Sequence, residues 1–451
     1  MSRKLFGTDG IRGVAGEPPL DARTAHALGV ALGEWARRAG NVEAGRPEVV
    51  IGIDTRESGP WLAEQVAGGL KRSGVGARFA GVITTPGVAY LARTGPYVAG
   101  VMISASHNPY LDNGIKIINH AGYKLADSLE EQMEERMFAW LDSGQPPVAE
   151  TLTQDASLDH LYGDYLRSTF DGCFPCRLVI DCANGSATAV APRLFQKLES
   201  RFELIGNEPD GRNINLNCGS LHLESLREHV LRTGADAGVA FDGDADRALF
   251  VSHSGRIIDG DAVLFLAATA LQKAGKLPGN AIVATVMSNL GLERALAEYG
   301  INLVRTPVGD KYVLEEMLKR DAPLGGEQSG HVIFSEFATT GDGLLTALRV
   351  FQILRDTNKT LDDLTAEVKV FPQKLVNIRV KVKRPLEQLV EVQREISNAQ
   401  GDFGDSGRVL VRFSGTEPLA RVMVEAESED HVEKWTARIA NAIRNELGSS
   451  G

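Results

Sequence analysis

The chain predicts a layered α/β protein of four domains: three related α/β units and a smaller C-terminal α+β unit. Its 451 residues exceed what one ordinary core organises, and roughly 150 residues per domain implies about three or four domains. A phrase of buried-type strand, polar turn and helix occurs three times, each copy followed by another apolar strand that runs into a polar loop. Beyond about residue 366 the pattern becomes one-sided, with polar and apolar residues alternating.

In the first unit Asp21 is placed to cap a helix that carries Ala25, Leu28, Leu32 and Trp35 on one face. Residues 49–53 then read as a buried strand, and Ser58-Gly59-Pro60 opens a helix with Leu62, Val66 and Leu70 inward. The phrase returns at residues 178–181 before Asn184-Gly185 and at 281–286 before Ser288-Asn289. The polar loops that follow are 104–109, 242–247 and 325–331. In the last unit Val376, Ile378, Val380 and Val382 alternate with Asn377, Arg379 and Lys381. A helix, two strands and a final helix with Val432, Trp435, Ile439 and Ile443 inward come after it. The expected domains are 1–152, 153–252, 253–366 and 367–451.

Composition narrows the function. Hydrophobic residues make up 43% and charged residues 24%, ordinary for a soluble globular chain. No run approaches the roughly 20 apolar residues of a membrane span, and the first residues lack a signal-peptide block, so a cytoplasmic protein is expected. With 48 basic against 59 acidic residues, the net charge of -11 argues against a nucleic-acid partner. An anionic small molecule would then need a locally basic pocket. Cys173, Cys176, Cys182 and Cys218 complete neither a zinc site nor a redox motif and are expected as reduced structural thiols.

Four loops carry the chemistry. Ser104-Ala105-Ser106-His107-Asn108-Pro109 ends an apolar strand, and the Asn-Pro step holds the loop open, leaving Ser106 exposed. By itself the loop reads more readily as an ordinary polar turn. Lys116 follows closely enough to return a cation to it. No Gly-x-Ser-x-Gly elbow is present, which excludes the usual acyl nucleophile. Asp242, Asp244 and Asp246 alternate along a turn that can aim three hard oxygens at one small cation, with Arg247 beside them. A calcium EF-hand is excluded because its sixth and twelfth positions would be Arg247 and His253. Glu327-Gln328-Ser329-Gly330-His331 offers a carboxylate, a hydroxyl and an imidazole, suited to a polyol and equally to a solvated turn. In the last unit Arg412, Ser414, Gly415, Thr416 and Arg421 have the makings of a phosphate-monoester site. Near the start Arg12 sits on a glycine-flexed loop. Gly275-Lys276-Leu277 is no Walker A, and no dinucleotide fingerprint follows a strand.

Taken in order, these loops resemble the α-D-phosphohexomutase superfamily along the whole chain. Residues 4–13, 104–109, Cys218-Gly219-Ser220 and 326–331 are most similar to its phosphoglucosamine mutase branch, as is Gln328, where related mannose and glucose enzymes commonly carry methionine. The resemblance implies three mixed-sheet α/β domains around a cleft, closed by a mobile fourth domain. It implies that Ser106 is phosphorylated and shares one Mg²⁺ per subunit with Asp242, Asp244 and Asp246. Arg12, Lys116 and Arg247 would serve the transferring phosphoryl group, and either His331 or Lys116 would move the hydroxyl proton. Glu327 and Ser329 would hold sugar hydroxyls. Arg412, Ser414, Gly415, Thr416 and Arg421 would bind the idle phosphate. The implied reaction interconverts glucosamine 6-phosphate and glucosamine 1-phosphate, with glucosamine 1,6-bisphosphate as intermediate and activator. Monomer and homodimer are both open.

Three other functions are compatible with parts of this pattern. A phosphomannomutase or phosphoglucomutase of the same superfamily differs only in sugar, and a phosphatase would use the same metal loop with water admitted. A noncatalytic phosphosugar sensor would need neither Ser106 nor the three aspartates.

Overall fold

In three successive sheets the same four-strand arrangement recurs. The computed structural model describes residues 5–7, 9–39, 46–414 and 418–448. They pack as two units, residues 1–287 with 301–366 and residues 288–300 with 367–451.

In the first sheet Gly76–Val82, Glu48–Ile53 and Ala99–Ile103 run parallel, and Asp112–Asn119 joins antiparallel. The second repeats the order with Arg201–Ile205, Arg177–Asp181 and Ala237–Phe241, then antiparallel Ala248–Ser252. The third has Asn302–Thr306, Ala281–Thr285 and Leu324–Gly326, then antiparallel Val332–Phe334. In each sheet the loop between the third strand and its antiparallel neighbour is one of the polar loops of the sequence. The outer parallel strand of each unit was not anticipated. These strands lie at the end of the parallel trio and are the less buried ones, as Arg201–Ile205 shows, so they lack the continuous apolar run that marks a covered strand.

The covered strands show why the run exists. Val49, Ile51 and Ile53 point to the face that holds Leu62, Val66 and Leu70, whereas Val50 points to the opposite face with Ala80, Val88 and Met102. Both faces are roofed, so both sets must be apolar. Asp21 caps the helix Ala22–Ala39 as expected, its Oδ1 accepting from Thr24 N–H at 2.8 Å. That helix meets Gly59–Arg72 at glycines. A Cβ on Gly29 would lie 2.1 Å from Val66 O, and one on Gly69 would lie 2.2 Å from His26 O.

Two local expectations change. Arg12 lies on a strand, Gly10–Val14, in the six-stranded first sheet, with Ile11 opposite Ile115. The glycine that suggested a loop, Gly10 at φ 80°, instead admits Ile115 O, which a Cβ there would approach to 2.3 Å. In the C-terminal unit the alternation holds through Ile378 and Val380 but ends with Val382, which is 50% exposed beyond the end of the strand Gln373–Arg379.

The C-terminal unit is an antiparallel sheet in the order Gln373–Arg379, Leu419–Ala426, Gly407–Phe413, with the helices Val390–Phe403 and Glu429–Leu447. Val432, Trp435, Ile439 and Ile443 are buried against Val422 and Val424. All four cysteines are unpaired thiols, and among the described residues no helix is long and apolar enough to cross a membrane.

Gly29→Ala should push the two helices apart and destabilise the first domain by about 1–3 kcal/mol, the usual cost of overpacking. Thermal melting checks this, and an unchanged midpoint would show that the helices tolerate separation.

Candidate active site

Arg56 sets the serine loop. Its guanidinium is 1% exposed and pairs with Asp54 Oδ2 at 2.9 Å. Its remaining donors go to backbone carbonyls of the loop: Ser106 O at 3.0 Å, Asn108 O at 2.8 Å, Asp112 O at 2.9 Å, and Pro109 O. Asn215 Nδ2 adds bonds to Ser106 O and Asn108 O at 2.9 and 3.1 Å. Ser104 Oγ donates to Asp54 and accepts from Ser106 N–H. This scaffold holds Ser106 at φ 53°, a left-handed conformation that a serine adopts only when its surroundings enforce it.

Ser106 is buried, at 2% exposure, where the sequence suggested an exposed side chain. The reason is the second loop. Gly243 packs so closely that a Cβ would lie 2.4 Å from Ser106 O, and Ser106 Oγ donates to Asp242 Oδ2 at 2.5 Å.

Asp242, Asp244 and Asp246 are all buried and each brings one carboxylate oxygen within 4.8 Å of the others. Asp244 Oδ2 accepts from Lys116 Nζ at 2.9 Å and Thr85 Oγ1 at 2.5 Å. Asp244 Oδ1 and Asp246 Oδ1 are buried without a hydrogen-bond partner. Unsatisfied buried carboxylate oxygens are costly, and three converging hard donors fit Mg²⁺. Burial first, then Asp246 and Asp244, pushes the Asp242 carboxyl well above its ordinary range. For Asp246 burial acts the same way, but His331, Lys116 and Arg247 outweigh it and hold the carboxyl low.

Above the aspartates opens a cavity of about 430 Å³ whose wall includes Arg12, Ser106, Asp246, Arg247, Glu327 and His331. The first, second and third sheets each contribute. Lys116 lies beneath, 2% exposed; burial opposes its charge, but Asp244 and Asp9 hold the ammonium well above the ordinary lysine range. His331 Nδ1 faces Asp246 Oδ2 at 3.5 Å, and its Nε2 accepts from Gly341 N–H at 3.0 Å. Burial, then Arg247 and Arg12, lowers the His107 imidazole to about 4, leaving it neutral 3.3 Å from Ser106 Oγ. Glu327 Oε1 accepts from Gly309 N–H at 3.2 Å. Ser329 is not part of this wall, though its Oγ is buried without a hydrogen-bond partner. Gln328 Nε2 donates to Asp259 Oδ2 at 3.2 Å and so shapes the loop from behind.

In the C-terminal unit Arg412 and Arg421 sit directly opposite each other on neighbouring strands. Like charges so placed repel and suit an anion between them. Lys383 Nζ donates to Ser414 O at 2.6 Å, adding a third cation. Gly415 and Thr416 lie outside the described residues.

Residues 3–142, 158–255, 259–371 and 375–442 match in turn the alpha/beta/alpha domains I, II and III and the C-terminal domain of the phosphoglucomutase/phosphomannomutase family. Proteins named phosphoglucosamine mutase are 56% identical in Solibacter usitatus, covering 99% of this chain and 100% of the relative, and 50% identical in Koribacter versatilis, covering 99% and 98%. The chain belongs to the phosphoglucosamine mutase family. A crystal structure of a phosphoglucomutase/phosphomannomutase family protein from Burkholderia thailandensis superposes with a TM-score of 0.82 at 26% identity, over 99% of this chain and 98% of that one. An Aspergillus fumigatus N-acetylphosphoglucosamine mutase shares the fold, with a TM-score of 0.64 at 18% identity over 98% and 96%.

Family membership makes this an enzyme of intramolecular phosphoryl transfer, with the four-domain architecture of the phosphohexomutases. Sequence reasoning missed the residues that organise the loops from a distance. Arg56, Asp54, Thr85 and Asn215 support them from below, and Asp9, Lys124 and Asp310 join the cavity wall. Asp9 stood in the glycine-rich stretch around Arg12 and was a legible signal; Arg56 and Asp310 carried none.

Arg56→Met should destabilise the unit that holds Ser106 by about 3–5 kcal/mol, because Asp54 becomes an unpaired buried carboxylate. Urea denaturation followed by circular dichroism measures it, and a loss below about 1 kcal/mol would mean that the loop holds its shape unaided.

Proposed function

We propose that this enzyme interconverts glucosamine 6-phosphate and glucosamine 1-phosphate through a phosphorylated Ser106. One observation carries the reading: a strained, buried serine whose Oγ lies 2.5 Å from Asp242 in a cluster of three aspartates, at the floor of a cavity walled by two arginines, a glutamate and a histidine. The glucosamine branch is supported by the full-length identity to proteins bearing that name.

Asp242, Asp244 and Asp246, with an oxygen of the Ser106 phosphate, would hold Mg²⁺. When bound it neutralises charge on the phosphoryl oxygens. Arg12 and Arg247 reach the same oxygens from the cavity wall, and Glu327 accepts from sugar hydroxyls. Lys116 lies between Asp244 and Asp9 and sets a cation beside the transferring group. His331, with both ring nitrogens engaged, orients Asp246.

In the first half-reaction the free hydroxyl oxygen of the sugar bonds to phosphorus as the bond from phosphorus to Ser106 Oγ breaks. The hydroxyl proton ends on Ser106 Oγ, the protonation state in which Oγ–H donates to Asp242. The product is glucosamine 1,6-bisphosphate. It turns over within the site, and Ser106 then takes the other phosphoryl group, so one distal phosphate site must accept both orientations. Arg412, Ser414 and Arg421, with Gly415 and Thr416, are our assignment for that site. Domain limits near residues 152, 252 and 366 follow the same reading.

Ser106→Ala should lose at least about 10⁴-fold in kcat with an unchanged melting temperature, since positioning cannot replace the missing acceptor. Coupled assays with glucosamine, glucose and mannose 6-phosphates, each with its 1,6-bisphosphate and Mg²⁺, should favour glucosamine. Preference for mannose or glucose would move the enzyme to another branch, and near-normal turnover by the alanine variant would remove Ser106 from the mechanism. Chelation with EDTA should abolish activity, with Mg²⁺ restoring it; activity that survives chelation would count against the aspartate cluster.

A further inference from the structure

A chain of alternating charge runs around the cavity from Asp244 to Asp310, and the His331 ring lies between Asp310 and Asp246. Asp244 Oδ2 lies 2.9 Å from Lys116 Nζ, which lies 3.1 Å from Asp9 Oδ2. Asp9 Oδ1 is 2.5 Å from Lys124 Nζ, and Lys124 Nζ is 2.6 Å from Asp310 Oδ2. Asp310 Oδ2 is 3.8 Å from His331 Nε2, and His331 Nδ1 is 3.5 Å from Asp246 Oδ2. Asp9, Lys116 and Lys124 belong to the first α/β domain, Asp310 and His331 to the third. The Lys124–Asp310 contact is the link that crosses between them.

Neighbouring contacts fix its register. Asp127 Oδ1 of the first domain meets Lys311 Nζ of the third at 2.5 Å, and Thr339 Oγ1 donates to Gly122 O at 2.7 Å. Exchanging partners would oppose Lys124 to Lys311 and Asp127 to Asp310, so the sign order allows one alignment. Lys124 and Asp310 also form a partition. On one side is the polar cavity, and on the other an apolar cavity of about 240 Å³ whose wall includes Ala89, Ile118, Leu314, Leu318 and Ile333. That apolar side limits screening and strengthens the pair.

We propose that Lys124 is a positioning residue of the mutase reaction, tying Asp9 to Asp310 and so fixing the Ser106 wall of the cavity against the Glu327–His331 wall. The inference rests on the phosphohexomutase reading of the site. The donor phosphoryl group would sit on the first domain and the sugar grip on the third, so a slip between them separates reacting atoms, and a displacement near 1 Å can cost about 10²-fold.

The test compares full-length wild type with K124R, K124M, D310N and K124M/D310N for kcat, KM and melting temperature, using glucosamine 6-phosphate with its 1,6-bisphosphate and Mg²⁺. Amide hydrogen exchange at residues 309–312 is followed in parallel. K124M should lose about 100-fold in kcat, K124R should recover to within about 10-fold of wild type, and the double variant should fall no lower than the worse single one, because the two act as a unit. Exchange at 309–312 should rise in K124M. The proposal is overturned if K124M keeps kcat within about 3-fold of wild type, or if the losses multiply in the double variant. Should K124M not fold, K124R and D310N decide: wild-type kcat in D310N overturns it. Wild type inactive on every hexose phosphate would instead overturn the functional reading, while unchanged exchange in K124M would refute the bridge on its own.

Discussion

Three carboxylates buried beside one serine hydroxyl are the constraint from which the rest of the site follows. Bringing anions together away from water is unfavourable unless cations and hydrogen-bond donors meet them. Each aspartate has a different answer. Asp242 takes the Ser106 hydroxyl, Asp244 takes Lys116 and Thr85, and Asp246 faces His331 and Arg247. Asp244 Oδ1 and Asp246 Oδ1 still accept no hydrogen bond. A site that still has unmet acceptors after recruiting these partners is built for a further cation, and the family's phosphoryl chemistry gives that cation its use.

Close approach of the two loops depends on backbone as much as on charge. Gly243 between Asp242 and Asp244 has Ser106 O where a Cβ would stand, and Gly185 in turn has Gly243 O 2.4 Å from its own Cβ position. The Asp-Gly-Asp spacing thus serves two ends: alternate residues aim carboxylates at one point, and the residue between admits the serine loop. Ala245, at φ 54°, bends the same turn in the left-handed region that Ser106 occupies across from it. Strain on both sides of the Ser106–Asp242 contact is tolerated because buried partners over-determine each loop.

Much of this was legible because a strand roofed on both faces must be apolar and a loop that does chemistry must be polar, so the switch from one to the other shows in the residues. Val101 to Ser106, Val239 to Asp242 and Leu324 to Glu327 are such switches, and they located all three cavity loops. What stayed hidden acts across distance. Arg56 binds loop carbonyls about fifty positions away, and Lys124 meets Asp310 from another domain. Neither has a periodic or motif signature, because the partner is supplied by topology. Burial was misjudged at Ser106 for the same reason: a hydroxyl-rich turn reads as solvated when the loop that covers it comes from a different sheet.

Repetition of one strand order explains how a single chain assembles several chemistries. The connection from the third strand to its antiparallel neighbour falls at the same place in each sheet, so three copies of one fold present three loops that can diverge independently while their strands keep the packing. The first became a serine turn, the second a carboxylate turn, the third a carboxylate and imidazole turn. Divergence of this kind leaves a difficulty, since loops on separate sheets align only as well as the domains do. Ion pairs between domains answer it. They supply directional contacts at the cavity wall, where an apolar interface would hold the domains together but would not fix their register to the fraction of an ångström that in-line phosphoryl transfer demands.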